Sequence, residues 1–194
     1  MNYLAHTLLS CSDEDLLIGN FITDFISNKD KVRFSENIRK GINLHKLIDS
    51  FTDTHEQVHL ANNLIRSSQG KYTPVVTDIY FDHFLIRNWS DYSSVSLPDF
   101  TVHTYSVLEQ HIHIYPDMLK LLVPKMIADN FLLACENEAR LRRTFQRVAS
   151  RARFENRFES AYLDLEQHYE ALERHFKLFF PELILEASKF CSCS

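Results

Sequence analysis

The chain has 194 residues, 45% of them hydrophobic and 24% charged, with a formal net charge of −5. That balance suits one globular domain of ordinary size and excludes a disordered or collagen-like chain. Its three glycines, Gly19, Gly41 and Gly70, stand far apart, which excludes the clustered glycines of a P-loop or a dinucleotide-binding turn.

The opening residues, Met1-Asn2-Tyr3-Leu4-Ala5-His6, carry no basic stretch, and no run of about 18 apolar residues follows anywhere. The expectation is a cytoplasmic protein without a membrane span. The four cysteines, Cys11, Cys135, Cys191 and Cys193, form no C-x-x-C pair, which agrees with a reducing compartment. Helical periodicity covers residues 13–27, 35–50 and 53–67. Thr73-Pro74 reads as an N-cap followed by proline at the first helical position. The next segment holds Val75, Val76, Ile79, Tyr80, Phe84, Leu85 and Trp89, apolar nearly all round, and predicts a buried central helix. Asn88 to Pro98 is a loop, and further helical patterns span 99–113, 117–134 and 137–152. Finally Phe158, Ala161, Leu165, Tyr169, Leu172, Phe176 and Phe179 recur at three- and four-residue steps. They predict an amphipathic helix that stops near Pro181, with residues 187–194 as a tail. The fold class is all-α: one domain over 1–194, a bundle of seven or eight helices.

Three of these helices carry metal-type side chains where a soluble helix does not need them. His45, Asp49 and Asp53 are four residues apart and share a face if their helix continues that far. Asp78 and Asp82 are also four apart, on the most buried helix, where two carboxylates need protons, hydrogen bonds or cations. His83 sits beside Asp82, about 100° further round. Asn20 and Asp24 interrupt an apolar stretch, and His6 is a further candidate ligand. Together they predict one shared divalent-cation site built from Asp24, His45, Asp49, Asp78, Asp82 and His6. Imidazole plus carboxylate suits Mn²⁺, Fe²⁺ or Zn²⁺, with Mg²⁺ as an alternative.

Arg140, Arg142, Arg143, Arg147, Arg151, Arg153 and Arg157 fall within 18 residues opposed by Glu155 alone, a local charge of +6 on a chain whose remainder carries −11. Arg140, Arg143, Arg147 and Arg151 line one helical face and predict a local anionic partner. The overall acidity and the lack of clustered stacking aromatics weigh against nucleic acid.

Several stretches, taken in order, resemble the bacterial acyl carrier protein phosphodiesterases. They are Asn2-Tyr3-Leu4-Ala5-His6, Gly19-Asn20-Phe21 with Asp24-Phe25, Gly41-Ile42 with His45 and Ile48-Asp49, Thr52-Asp53, and Asp82-His83-Phe84-Leu85 with Asn88-Trp89-Ser90. Ala149-Ser150-Arg151 and the run from Leu163-Asp164-Leu165 to Phe180-Pro181 are similar too. The resemblance implies a divergent HD-type phosphohydrolase fold and a divalent metal, typically Mn²⁺. It also implies hydrolysis of the phosphodiester joining 4′-phosphopantetheine to a serine of holo-acyl carrier protein, a small acidic partner. HD enzymes are named for adjacent His-Asp ligands, whereas this chain has Asp82-His83 in reverse order. On this reading His83, His45 and Asp82 are the catalytic set, His83 or His45 being the general acid. His6, Asp53 and His83 orient the outer shell, and the arginine face docks the carrier protein. Tyr80, Phe81 and Tyr115 are the residues suggested for the pantetheine channel. Two other readings remain: a phosphohydrolase of nucleotides or small phosphoesters, and a non-catalytic helical module for an acidic protein.

Overall fold

Side-chain caps start the helices where the sequence changes from polar turn to apolar period. Asp13 accepts from Leu16 N–H, Ser35 from Ile38, Ser96 from Asp99 and Asn137 from Arg140. In the computed structural model, which describes residues 1–191, the elements are α1 (Tyr3–Leu8), α2 (Glu14–Ile22), α3 (Glu36–Thr54), α4 (Glu56–Gln69), α5 (Thr73–Arg87), α6 (Leu97–Gln110), α7 (Asp117–Ala128), α8 (Glu138–Arg151) and α9 (Ala161–Ser188). Short 3₁₀ turns link several of them, and the described residues include no strand. The all-α expectation of seven or eight helices holds: among the described residues eight longer helices follow the six-residue α1. Among the described residues no helix is long and apolar enough to cross a membrane.

α5 is the central helix that its composition predicts: Val76, Ile79, Tyr80, Phe81, Phe84 and Leu85 are all buried. Its start differs in detail. Thr73 is already helical and its hydroxyl donates to the Gly70 carbonyl instead of capping. Phe176 and Phe179 of α9 pack against Phe81, and Phe176 also lies on Phe84. This packing corrects the expected end near Pro181. The proline removes one backbone donor, but Phe179, Phe180, Leu183 and Ala187 are buried on both sides of it, and their burial carries the helix to Ser188. The non-helical residue within α9 is His168, not Pro181. Of the expected tail, Ala187 and Ser188 belong to α9, and Cys191 is joined to Cys11 by a disulfide. Residues 192–194 lie outside the described residues. That bond ties the end of α9 to the α1–α2 turn, a pairing across 180 residues that no sequence spacing announces.

Two packing details govern the site. α3 runs to Thr54, so His45, Asp49 and Asp53 do share one face. α2 and α3 cross glycine on glycine: a Cβ on Gly19 would strike the Ile38 carbonyl, and one on Gly41 would strike the Leu16 carbonyl. The backbones therefore approach as closely as two helices can. Asn20 and His45 lie just beyond that crossing.

Tyr80 and Phe81 are fully buried core residues, not channel walls; Tyr115 is buried too, but it lines a cavity with Phe25, Phe34 and Pro116. Tyr80 donates its hydroxyl to the Ala161 carbonyl and Tyr115 to the Leu108 carbonyl. Tyr80 and Phe81 depart from the expected channel because large aromatics near a carboxylate pair fill a helical core as readily as they line a groove.

Candidate metal centre

Asn20 is fully buried and acts as the hub of the site. Its side-chain oxygen lies 2.7 Å from His6 Nδ1, and its backbone carbonyl 2.8 Å from His45 Nδ1. Its amide donates to the His6 carbonyl and, at 3.2 Å, to Ser10 Oγ. Both imidazoles thus donate through Nδ1 to oxygen and turn Nε2 outward, the orientation that a metal-ligating histidine requires. The rings stack with centroids 4.2 Å apart.

The outward nitrogens meet carboxylates. His6 Nε2 is 3.2 Å from Asp49 Oδ1, and His45 Nε2 is 3.1 Å from Asp49 Oδ2 and 3.3 Å from Asp24 Oδ1. Ligand atoms of His6, His45 and Asp49 lie within 4.8 Å of one another. No further such group was found among the described residues. Asp24, on the 3₁₀ turn after α2, reaches His45 alone.

The electrostatics of the metal-free site agree with this arrangement. Burial opposes a charge on His45, but Asp24 and Asp49 outweigh it and raise its pKa to about 9. Burial pushes His6 below the ordinary histidine value, because Asp49 cannot offset it and His45 and the Met1 amine oppose a second charge. Asp24 is lowered chiefly by its hydrogen bond to His45; Asp49 is lowered because its bonds to both imidazoles overcome burial. One proton is thus shared by a pair of rings between two carboxylates, a position that a divalent cation takes over naturally. The donor set, two neutral nitrogens and hard carboxylate oxygens, suits Mn²⁺, Fe²⁺ or Zn²⁺.

Asn20→Ala is expected to weaken Mn²⁺ binding by about 10–100-fold, the usual cost of losing an orienting partner. Calorimetric titration of the variant reads this directly, and wild-type affinity would show that the rings hold their orientation without Asn20.

The remaining predicted residues separate into three groups. Asp78 pairs at 3.4 Å with the Met1 amine, and burial raises its pKa. Asp82 is buried, its Oδ1 has no partner, and burial lifts its carboxyl to about 8. Neither joins the His6–His45–Asp49 triplet. His83 departs from its expected catalytic place. Both ring nitrogens are committed elsewhere, Nδ1 to the Cys135 carbonyl at 2.8 Å and Nε2 to the Tyr169 hydroxyl at 3.2 Å. One residue's rotation round α5 turns it toward α9. Arg140 also departs: its guanidinium donates to the carbonyls of Leu133, Asp129 and Asn130 and holds the turn between α7 and α8. Arg143, Arg147 and Arg151 remain exposed, Arg147 paired with Asp129.

Asn20 is the residue of this hydrogen-bonded cluster that the spacing left unassigned. Its signal was an amide within a helix whose neighbours Leu16, Leu17, Ile18, Phe21 and Ile22 are all buried; such a group needs partners.

The helical frame and the imidazole–carboxylate triplet define the class: an all-α protein built round a candidate divalent-metal centre. The chain belongs to the acyl carrier protein phosphodiesterase family, whose model matches residues 1–183. It is similar to the acyl carrier protein phosphodiesterase of Photorhabdus laumondii, 30% identical over 188 residues, or 96% of this chain and 95% of that one. The acyl carrier protein phosphodiesterase of Escherichia coli K12 is likewise 30% identical over 198 residues, covering 97% of this chain and 98% of that one. No solved structure matches the chain.

Proposed function

We propose that this protein hydrolyses the phosphodiester between 4′-phosphopantetheine and the serine of holo-acyl carrier protein, giving apo-acyl carrier protein and 4′-phosphopantetheine. The observation that carries this reading is the compact His6–His45–Asp49 triplet in a chain that matches the family over nearly its whole length. These three residues would hold the cation, Mn²⁺ by preference, with Asp24 beside the same outward Nε2 of His45 as a further carboxylate. A cation there would supply a nucleophilic water at neutral pH and would neutralise charge on the phosphoryl oxygens. Water oxygen adds to phosphorus, the bond from phosphorus to the serine oxygen breaks, and that oxygen takes a proton. Asp82 is suited to give it, since burial keeps its carboxyl protonated up to about pH 8. His83 has no free nitrogen for the task. A carrier-protein substrate favours the cytoplasm, a reducing compartment in which Cys11 and Cys191, bonded in this structure, would be held as thiols.

Arg143, Arg147 and Arg151 on α8 would steer the acidic partner. Charge reversal of Arg143, which makes no ion pair among the described residues, is expected to raise KM several-fold at low salt with little change in kcat. An unchanged KM at low ionic strength would remove that residue from the docking face.

The test of the reaction is intact-mass spectrometry of holo-acyl carrier protein incubated with the protein, with Mn²⁺ or with excess chelator. Metal-dependent conversion to the apo form with release of 4′-phosphopantetheine is the expected result. A folded, Mn²⁺-loaded protein that leaves the carrier protein intact overturns it.

A further inference from the structure

A groove of about 380 Å³ opens between the N-terminal segment, α5, α7 and α8, within the size range of small-molecule sites, about 300–1,000 Å³. Its walls are apolar: Tyr3 and Phe25 on one side, Leu122 and Met126 of α7 with Phe131 on the other. Asp78 and Asp82 of α5 also line it, as do Arg147 and Arg151 of α8. Its apolar walls have no part in the reaction as proposed above.

Three features limit what can fill it. The first is place. Phe25 directly follows Asp24, which bonds His45, so one wall of the groove continues from the candidate metal centre. The second is an unpaired polar atom. Asp82 is only 6% exposed and its Oδ1 has no hydrogen-bond partner. A plain hydrocarbon chain would bury that oxygen without compensation, at the full cost of an unsatisfied polar atom. The occupant must bring a polar group that hydrogen-bonds to this carboxyl. The third is charge. Arg147 on the lip is paired with Asp129, which also lines the groove, whereas Arg151 makes no ion pair among the described residues and favours a phosphate or another anion. A larger cavity of about 600 Å³ lies on the other side of Phe25, but neither Asp78, Asp82 nor the α8 arginines reach it.

We infer that this groove is the subsite for the pantetheine arm of the substrate. The inference rests on the reaction proposed above. The arm has the chemistry that the groove asks for: a phosphate at one end, then a gem-dimethyl carbon, a hydroxyl and two amide N–H groups along a flexible, largely apolar chain. Its dimethyl and methylene groups lie against Phe25, Leu122 and Met126. Its hydroxyl or first amide satisfies Asp82 Oδ1. Arg151 stands on the lip near Tyr3, where it lowers the cost of ionising that phenol, and faces the phosphate end.

The methionines give a direct test that needs no turnover. Met126 lines the groove, whereas Met118 on the same helix is 79% exposed and lies outside it. In protein labelled with ¹³C at the methionine methyls, free pantetheine should shift the Met126 signal saturably and leave Met118 unmoved. Leu122→Trp, which fills the groove from its exposed rim, should abolish that shift and raise KM for holo-acyl carrier protein about tenfold, with Mn²⁺ affinity unchanged. A Met126 signal that stays still, or moves only as Met118 does, overturns the assignment, and this wild-type titration does not depend on the variant's folding. The two readings fail separately. A Met126 response without carrier-protein hydrolysis overturns the reaction and keeps the groove as a pantetheine site. Hydrolysis without a Met126 response overturns the groove alone.

Discussion

His45→Ala should lower carrier-protein hydrolysis by at least about a thousandfold, because it removes a cation ligand from a centre that has only three compact ones. The helical circular dichroism should survive, since His45 meets Asn20, Asp24 and Asp49 at the edge of the core. Mn²⁺ binding should fall in parallel with turnover. The wild type carries a matching pH signature. In the metal-free protein His45 holds its proton up to about pH 9, and a cation binds only after displacing it. Below that value Mn²⁺ affinity should drop by up to about tenfold for each unit of pH. Stability runs with the same sign. The His45 pKa is raised on folding, so its contribution is fully present below the unfolded value of about 6.5 and is lost as pH rises through about 9. Asp82 acts in the same direction, because folding favours its protonated form and ionisation removes that advantage as pH approaches 8. The metal-free protein should therefore melt at progressively lower temperature from pH 6.5 to 9, and Mn²⁺ should restore most of the loss. Scanning calorimetry with and without Mn²⁺ measures both effects. A His45→Ala variant with near wild-type turnover would remove this centre from the reaction.

The parts of this site that lie within one helix were legible in the sequence. The four-residue steps of His45, Asp49 and Asp53 place them on a common face, and α3 continues far enough to keep them there. What was not legible depends on how helices meet. Asp78 and Asp82 show the same step, yet α5 turns them toward the Met1 amine and the groove instead of into the triplet. His83 is adjacent to Asp82 in sequence but points across the core to Tyr169. Arg140 keeps the period of the arginine face, yet a turn with three carbonyls needing donors captures its guanidinium. Pro181 is a stop signal in an isolated helix; buried side chains on both sides of it override the signal here. In each case local periodicity gives the direction of a side chain from its own axis, and tertiary packing decides what lies in that direction.

The crossing of α2 and α3 supplies the other large expected effect. Alanine at position 41 would gain about 1 kcal/mol in helix propensity over glycine, so a helix taken alone would be stabilised. Packing reverses the sign. The new methyl would meet the Leu16 carbonyl and the Gly19 Cα, which are backbone atoms and cannot rotate away. α2 would have to move off α3, and Asn20, the residue after Gly19, would move with it. Its carbonyl sits 2.8 Å from His45 Nδ1, so the shift that relieves the clash also breaks the bond that orients the ligand. Gly41→Ala should lower the melting midpoint by about 5–10 °C, as overpacking of a tight core does, and should weaken Mn²⁺ binding as well. Gly70→Ala is the control. Its φ of +55° makes any side chain unfavourable, but nothing lies within 4 Å of the added methyl. It should cost about 1 kcal/mol, a few degrees at most, and leave Mn²⁺ affinity unchanged. Equal losses of stability in both variants with intact Mn²⁺ binding in Gly41→Ala would show that His45 takes its orientation from elsewhere; loss of binding in Gly41→Ala alone ties the centre to the closeness of these two helices.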